Sequence, residues 1–187
     1  MNKRKIVRRL KNGCVHIYTG MGKGKSTAAI GIGMRAVTSG LKVCMFQFLK
    51  RYGSSAENGL SLPRFKVVCF DQMHPMFRKG YRGWGIGYRE KIKKHILRDL
   101  RKVKKTLKAG RYDVIILDEI INCVSEKFIP AEAVIKLISL KPKHVELVLT
   151  GRGATGRLIR CADYVSSVDK LKHPFDKGMI ARKGIEF

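Results

Sequence analysis

Residues 14–26 read Cys-Val-His-Ile-Tyr-Thr-Gly-Met-Gly-Lys-Gly-Lys-Ser, a short apolar, β-branched run followed by three alternate glycines and a Lys-Ser pair that opens a helical pattern. A strand that turns through Gly20, Gly22 and Gly24 into a helix gathers backbone N–H groups and the positive end of the helix dipole at one point. That is an anion site built from the main chain. Lys25 adds a point charge, and the Ser26 hydroxyl is of the type that ligates a Mg²⁺ accompanying a polyphosphate. The general pattern G-x-x-x-x-G-K-[ST] asks for glycine at 19, where this chain carries Thr19. Alternate glycines at 20, 22 and 24 still leave the loop free to wrap closely.

A loop of this kind needs a sheet behind it, and four further apolar runs supply one: 42–48, 65–70, 113–118 and 144–150. Near-continuous apolar strands are expected where helices cover both faces of a mostly parallel sheet. Helices are expected over 24–39, stopped at Gly40, over 131–140, stopped before Pro142, and over 155–162. From Tyr88 to Leu107, the residues Tyr88, Ile92, Ile96, Leu100, Val103 and Leu107 recur at steps of three and four, which predicts one long amphipathic helix. The chain of 187 residues is then a single α/β domain over 14–187 behind a basic arm at 1–13.

Two more segments point to the same sheet edge. Val114 to Leu117 followed by Asp118-Glu119 resembles a Walker B strand, whose carboxylates emerge beside the phosphates. Either carboxylate could hold Mg²⁺, directly or through water, and Glu119 could instead orient a water for hydrolysis. Thr150-Gly151-Arg152-Gly153 ends another strand, and a guanidinium at 152 could stabilise a triphosphate or its developing charge. Gly80-Tyr81-Arg82-Gly83-Trp84-Gly85 sets the only Trp between glycines, as in a mobile loop that covers a planar ligand.

Lys and Arg total 40 against 14 Asp and Glu, a formal charge of +26, with 44% hydrophobic residues. Hydrophobicity this high excludes a disordered basic tail and puts the excess charge on a folded surface. Between Arg89 and Arg111 eleven cations face only Glu90 and Asp99, either a solvated face or a docking surface for an acidic partner, anionic lipid or nucleic acid. Five scattered cysteines suggest neither a disulfide framework nor a Cys-x-x-Cys metal site. No segment approaches a membrane span, and the start lacks the apolar stretch of a signal peptide, so the expected location is the cytoplasm.

Together the stretches HIYTGMGKGKSTAAIGIGMRAV, QFLK, VIILDEIINC, LVLTGRGA and KHPFDKGMIARKGIEF, running from about residue 14 to the end, resemble the P-loop type ATP:cob(I)alamin (corrinoid) adenosyltransferases. Thr19 is what this family's T-G-x-G-K-G-K-[ST] loop carries. The resemblance implies a RecA-like P-loop fold, a homodimer, and transfer of the 5′-deoxyadenosyl group of ATP to a Co(I) corrinoid with release of triphosphate. It implies ATP as co-substrate, Mg²⁺, and cobalamin or a related corrinoid. By position, Gly20, Met21, Gly22, Lys23, Gly24, Lys25, Ser26 and Thr27 would bind phosphates, and Lys25, Glu119 and Arg152 would serve catalysis. Ser26 and Glu119 would ligate Mg²⁺, with Asp118 a further candidate, while Arg35, Gln47, Asn122, Lys172 and His173 fall in matching stretches near the nucleotide. Tyr81 and Trp84 match the family's aromatic loop, which strips the lower ligand from Co(II) corrinoid, although the family's Gly-Phe-Thr-Trp here has an extra residue and Tyr for Phe. The resemblance also implies an outside electron donor of flavodoxin type. A RecA-like ATPase that binds nucleic acid is the alternative that the charge and Glu119 would suit.

Overall fold

The structure is a computed structural model that describes residues 9–72 and 86–186. The five expected strands form as β1 (Val15–Thr19), β2 (Val43–Gln47), β3 (Phe65–Cys69), β4 (Val114–Asp118) and β5 (Glu146–Thr150), joined by a sixth, β6 (Tyr164–Ser167). All pair in parallel, in the order β3-β2-β4-β5-β1-β6. The sheet is that of a P-loop α/β fold. Every residue of β2 and β4 is buried, because these central strands are covered on both faces.

Alternation along the strands divides the core. Val43, Met45, Val114, Ile116 and Val148 face α1 (Lys25–Thr38), against its Ala29 and Ala36. Cys44, Phe46, Ile115, Leu117, Leu147 and Leu149 face the opposite layer of α2 (Ile86–Ala109), α3 (Ile120–Ser125), α4 (Ala131–Ser139) and α5 (Gly156–Ile159). In α2 the expected stripe is realised: Ile92, Ile96, Leu100, Val103 and Leu107 are buried and Tyr88 packs against the same core. Gly33 lets α1 approach the sheet, since a Cβ there would sit 2.5 Å from the Phe65 ring.

Three elements differ from the sequence expectation. The helix expected over 155–162 is the single turn of α5, capped by Thr155 Oγ1, which accepts from Leu158 N. β6 escapes a periodicity reading because its four residues are all exposed at the sheet edge. α3 follows β4 with no linker beyond Glu119, whose φ of 63° makes the turn, so one apolar run holds both a strand and a helix. Tyr81 and Trp84 lie outside the described residues, as does most of the basic arm.

Among the described residues, no helix is long and apolar enough to cross a membrane.

Ile96 is fully buried and Leu97 is 40% exposed. Ile96→Ala should therefore lose about 2–5 kcal/mol in urea unfolding, whereas Leu97→Ala should stay within about 1 kcal/mol of the parent.

Candidate active site

The C-terminal ends of β1, β4 and β5 and the residues just after β2 meet at one edge of the sheet. After Thr19 the chain turns through Gly20 at φ 97° and Gly24 at φ 115° and enters α1 at Lys25. The two glycines are needed for different reasons. A Cβ on Gly20 would lie 2.5 Å from the Val168 carbonyl oxygen, whereas around Gly24 there is open space and only the left-handed backbone demands glycine. The segment after β6 backs the loop: Gly22 N donates to Val168 O at 2.7 Å, and Val168 N to Thr19 O at 2.9 Å. Thr19 has its own task, because its hydroxyl accepts from Ala154 N at 3.2 Å and ties the loop to the turn after β5.

Asp118 at the end of β4 is fully buried. Its Oδ1 accepts from Ser26 Oγ at 2.7 Å and from Thr150 Oγ1 at 2.7 Å. Its Oδ2 faces the Lys50 ammonium at 2.7 Å. The Thr150 hydroxyl in turn accepts from Glu119 N at 3.0 Å. Lys25 is buried, with its ammonium donating to Gly22 O at 2.6 Å.

Charge is concentrated here. Burial, with Arg152 next, lowers the Lys25 pKa. Burial also disfavours the charge on Lys50, but Asp118 outweighs it and the net shift is upward. Glu119 is pushed up to about 7, first by burial and then by Asp118, against the pull of Lys50, Lys25 and Arg152. Three cations thus surround two carboxylates at the mouth of the glycine loop. The excess positive charge suits a polyphosphate.

The other sequence-predicted residues fall into groups. Gln47 is buried beside Asp118 in register, and its amide is spent on Ser55 Oγ at 3.2 Å and Asn58 Nδ2 at 2.5 Å. Asn122 Oδ1 accepts from Arg152 N at 2.5 Å, so it sets the turn that carries Arg152. Lys172 and His173 line a cleft of about 340 Å³ with Gly22, Lys23, Phe175 and Ile180, directly beside the loop. Within it, Lys23 pairs with Glu186 at 3.2 Å, and the Arg182 guanidinium holds Glu186 down to about 2. Met21 and Thr27 are exposed around the loop. Arg35 is not gathered in: it is exposed in the last turn of α1, about 15 Å along the axis from Lys25. Lys50 and Thr150 were missed by sequence reasoning. The signal for Lys50 was its place just past the end of β2, one strand from Asp118.

A hydroxyl and carboxylates with room for phosphate oxygens form the donor set Mg²⁺ takes in nucleotide sites. Among the described residues no cluster of three His, Cys, Asp or Glu offers an all-protein metal cage. Ser26 Oγ and a carboxylate beside it therefore fit Mg²⁺ delivered with a nucleotide.

Fold and loop together define a P-loop nucleotide-binding α/β protein. The model of the family described as ATP:corrinoid adenosyltransferase BtuR/CobO/CobP matches residues 11–187. A corrinoid adenosyltransferase of Escherichia coli (strain K12) is 32% identical over 177 residues, 95% of this chain and 87% of the relative. The corrinoid adenosyltransferase CobA of Salmonella typhimurium (strain LT2) is 33% identical over the same shares. A third, from a Sinorhizobium species, is 32% identical over 95% of this chain and 81% of its own length. The chain belongs to the ATP:corrinoid adenosyltransferases, and it is a transferase whose substrates are ATP and a corrinoid.

Because the Glu119 carboxyl is raised from 4.5 to about 7, the ligand-free fold favours its protonated form. That group's contribution is full below pH 4.5 and is lost as pH rises through 7. Glu119→Gln should flatten this part of the stability profile, measured as urea midpoints from pH 4.5 to 8 without nucleotide.

Proposed function

We propose that Gly20 to Thr27 hold the triphosphate of ATP so that C5′ is open to a Co(I) corrinoid. The observation that carries this is the hydrogen bond from Ser26 to the buried Asp118 at the mouth of the glycine loop. Cobalt donates an electron pair to C5′, the C5′–O5′ bond breaks, and the pair leaves with triphosphate. Negative charge grows on the departing oxygen, where Lys25 and the Arg152 guanidinium can stabilise it. Met21, Lys23 and Thr27 border the phosphates, and Lys172 and His173 close the cleft beside them. Mg²⁺, when bound, would offset phosphate charge, with Ser26 Oγ and Glu119 as its protein ligands.

In the same reading Tyr81 and Trp84 cover the corrinoid and displace its lower ligand before reduction. The enzyme works in the cytoplasm as a homodimer. What supports a second copy is apolar surface around β6 and the C-terminal segment: Tyr164 is 57% exposed, Phe175 70% and Ile180 80%. Residues 14–187 act as one domain behind the basic arm at 1–13.

Product identity tests the reading. With Mg-ATP and chemically reduced cobalamin the protein should release triphosphate, and ADP appearing with added nucleic acid would favour the ATPase alternative instead. Lys25→Ala should weaken ATP binding by about 1.5–3 kcal/mol in calorimetry.

The basic face of α2 is proposed to steer an acidic reductase of flavodoxin type. Of its two acids, Asp99 is buried against Gln72 and Arg98, and Glu90 faces Lys93 at 3.9 Å. Reversing Lys93, Arg101, Lys104 and Lys108 to Glu should slow reductase-dependent turnover at about 20 mM salt and lose its effect by about 500 mM, as screening shortens the reach of exposed charge. ATP affinity should not move. A salt profile matching the parent would remove steering, and oligonucleotide binding lost in the variant would favour nucleic acid.

A further inference from the structure

Asp118 is the carboxylate of the site with protein groups against both oxygens, hydrogen-bond donors on Oδ1 and an ion contact alone on Oδ2. Oδ1 takes two hydroxyl donors, Ser26 and Thr150, and Oδ2 faces the Lys50 ammonium at 2.7 Å. None of its surface is exposed. A metal ion placed on Oδ2 would stand against that ammonium in a site closed to water. Glu119 is the opposite case. Its side chain makes no hydrogen bond or ion pair among the described residues.

Lys50 is also placed deliberately by the backbone. Leu49, buried just before it, adopts φ 52°, a left-handed conformation that a γ-branched residue avoids unless its surroundings enforce it. The Lys50 carbonyl is pinned from the other side by Gln72 N at 2.8 Å and Cys69 Sγ at 3.4 Å. The chain therefore leaves β2 along a strained path that delivers an ammonium to Asp118.

We propose that Lys50 is a positioning residue of the phosphate site. Its ammonium occupies Oδ2 of Asp118, so Asp118 orients Ser26 and Thr150 and stays out of the inner coordination sphere of the metal, which is left to Glu119. The inference deepens the Mg-ATP reading above and rests on it.

Mn²⁺, followed by the electron paramagnetic resonance signal of the free ion, tests the assignment without turnover. In the nucleotide-free protein, Lys50→Met should release Oδ2 and tighten Mn²⁺ binding by at least ~10-fold, the scale on which neighbours of ligands tune metal affinity. Lys50→Arg should restore the parent value, and adding Asp118→Asn to Lys50→Met should abolish the gain. Removing one member of a buried pair threatens folding, so the double variant, which replaces the pair with neutral side chains, is the second readout. By calorimetry with Mn-ATP it should bind close to the parent, whereas Glu119→Gln should lose at least ~10-fold. Unchanged Mn²⁺ affinity in a folded Lys50→Met protein, or a loss in the double variant equal to that in Glu119→Gln, overturns the proposal. If the parent binds no Mn-ATP at all, the loop reading falls with it. If the parent binds Mn-ATP and only the Lys50 effects are missing, the loop reading stands alone.

Discussion

The site depends on one buried carboxylate. Asp118, at the end of the central strand β4, is held by a hydroxyl from the first turn of α1, a hydroxyl from the end of β5 and an ammonium from the chain after β2. Burying a charge is unfavourable unless it is paired and hydrogen-bonded, and loss of one partner leaves a heavy penalty. Those contacts therefore act as a unit that sets where β2, β4, β5 and the phosphate loop meet. Through Thr150 the same unit reaches the backbone of Glu119, which places the second carboxylate without touching its side chain.

Around this anchor the backbone is forced into conformations it does not choose. Leu49 at φ 52° and Glu119 at φ 63° are left-handed residues without glycine's freedom, and each immediately adjoins or carries a charge of the site. Strain of this kind persists only where surrounding contacts over-determine it. Buried β2 and β4 supply that support. The glycines complete the arrangement from the other side, with Gly20 pressed on Val168 and Gly151 on Asn122. Together they bring Lys25, Lys50, Glu119 and Arg152 to one sheet edge.

Electrostatics separates this edge from the rest of the surface. Many of the described acids are used internally: Glu146 on His16, Asp113 on the backbone of Lys42, Asp163 on the backbone of Val15. The cations of α2 have few such partners, which is why a high net charge appears as a basic face opposite the apolar stripe. Three cations, Lys25, Lys50 and Arg152, gather at the glycine loop. The charge on α2 is additional to them.

Much of the molecule was legible in the chain itself. The loop, the five strands, the amphipathic face of α2 and the pairing of Lys25-Ser26 with Asp118-Glu119 are local patterns, because periodicity and turn chemistry are written within a few residues. So was the family, since its motifs are contiguous. What only the tertiary structure decided concerns contacts across strands: that Lys50 claims Asp118, that Thr150 bridges two strands, that Gln47 and Asn122 spend their amides on neighbouring loops, and that Arg35 points away at the far end of its helix. β6 and α3 belong to the same group, the first because an exposed edge strand has no apolar rhythm, the second because strand and helix share one apolar run. Sequence spacing measures distance along the chain, whereas these roles are set by which strands the sheet order places side by side.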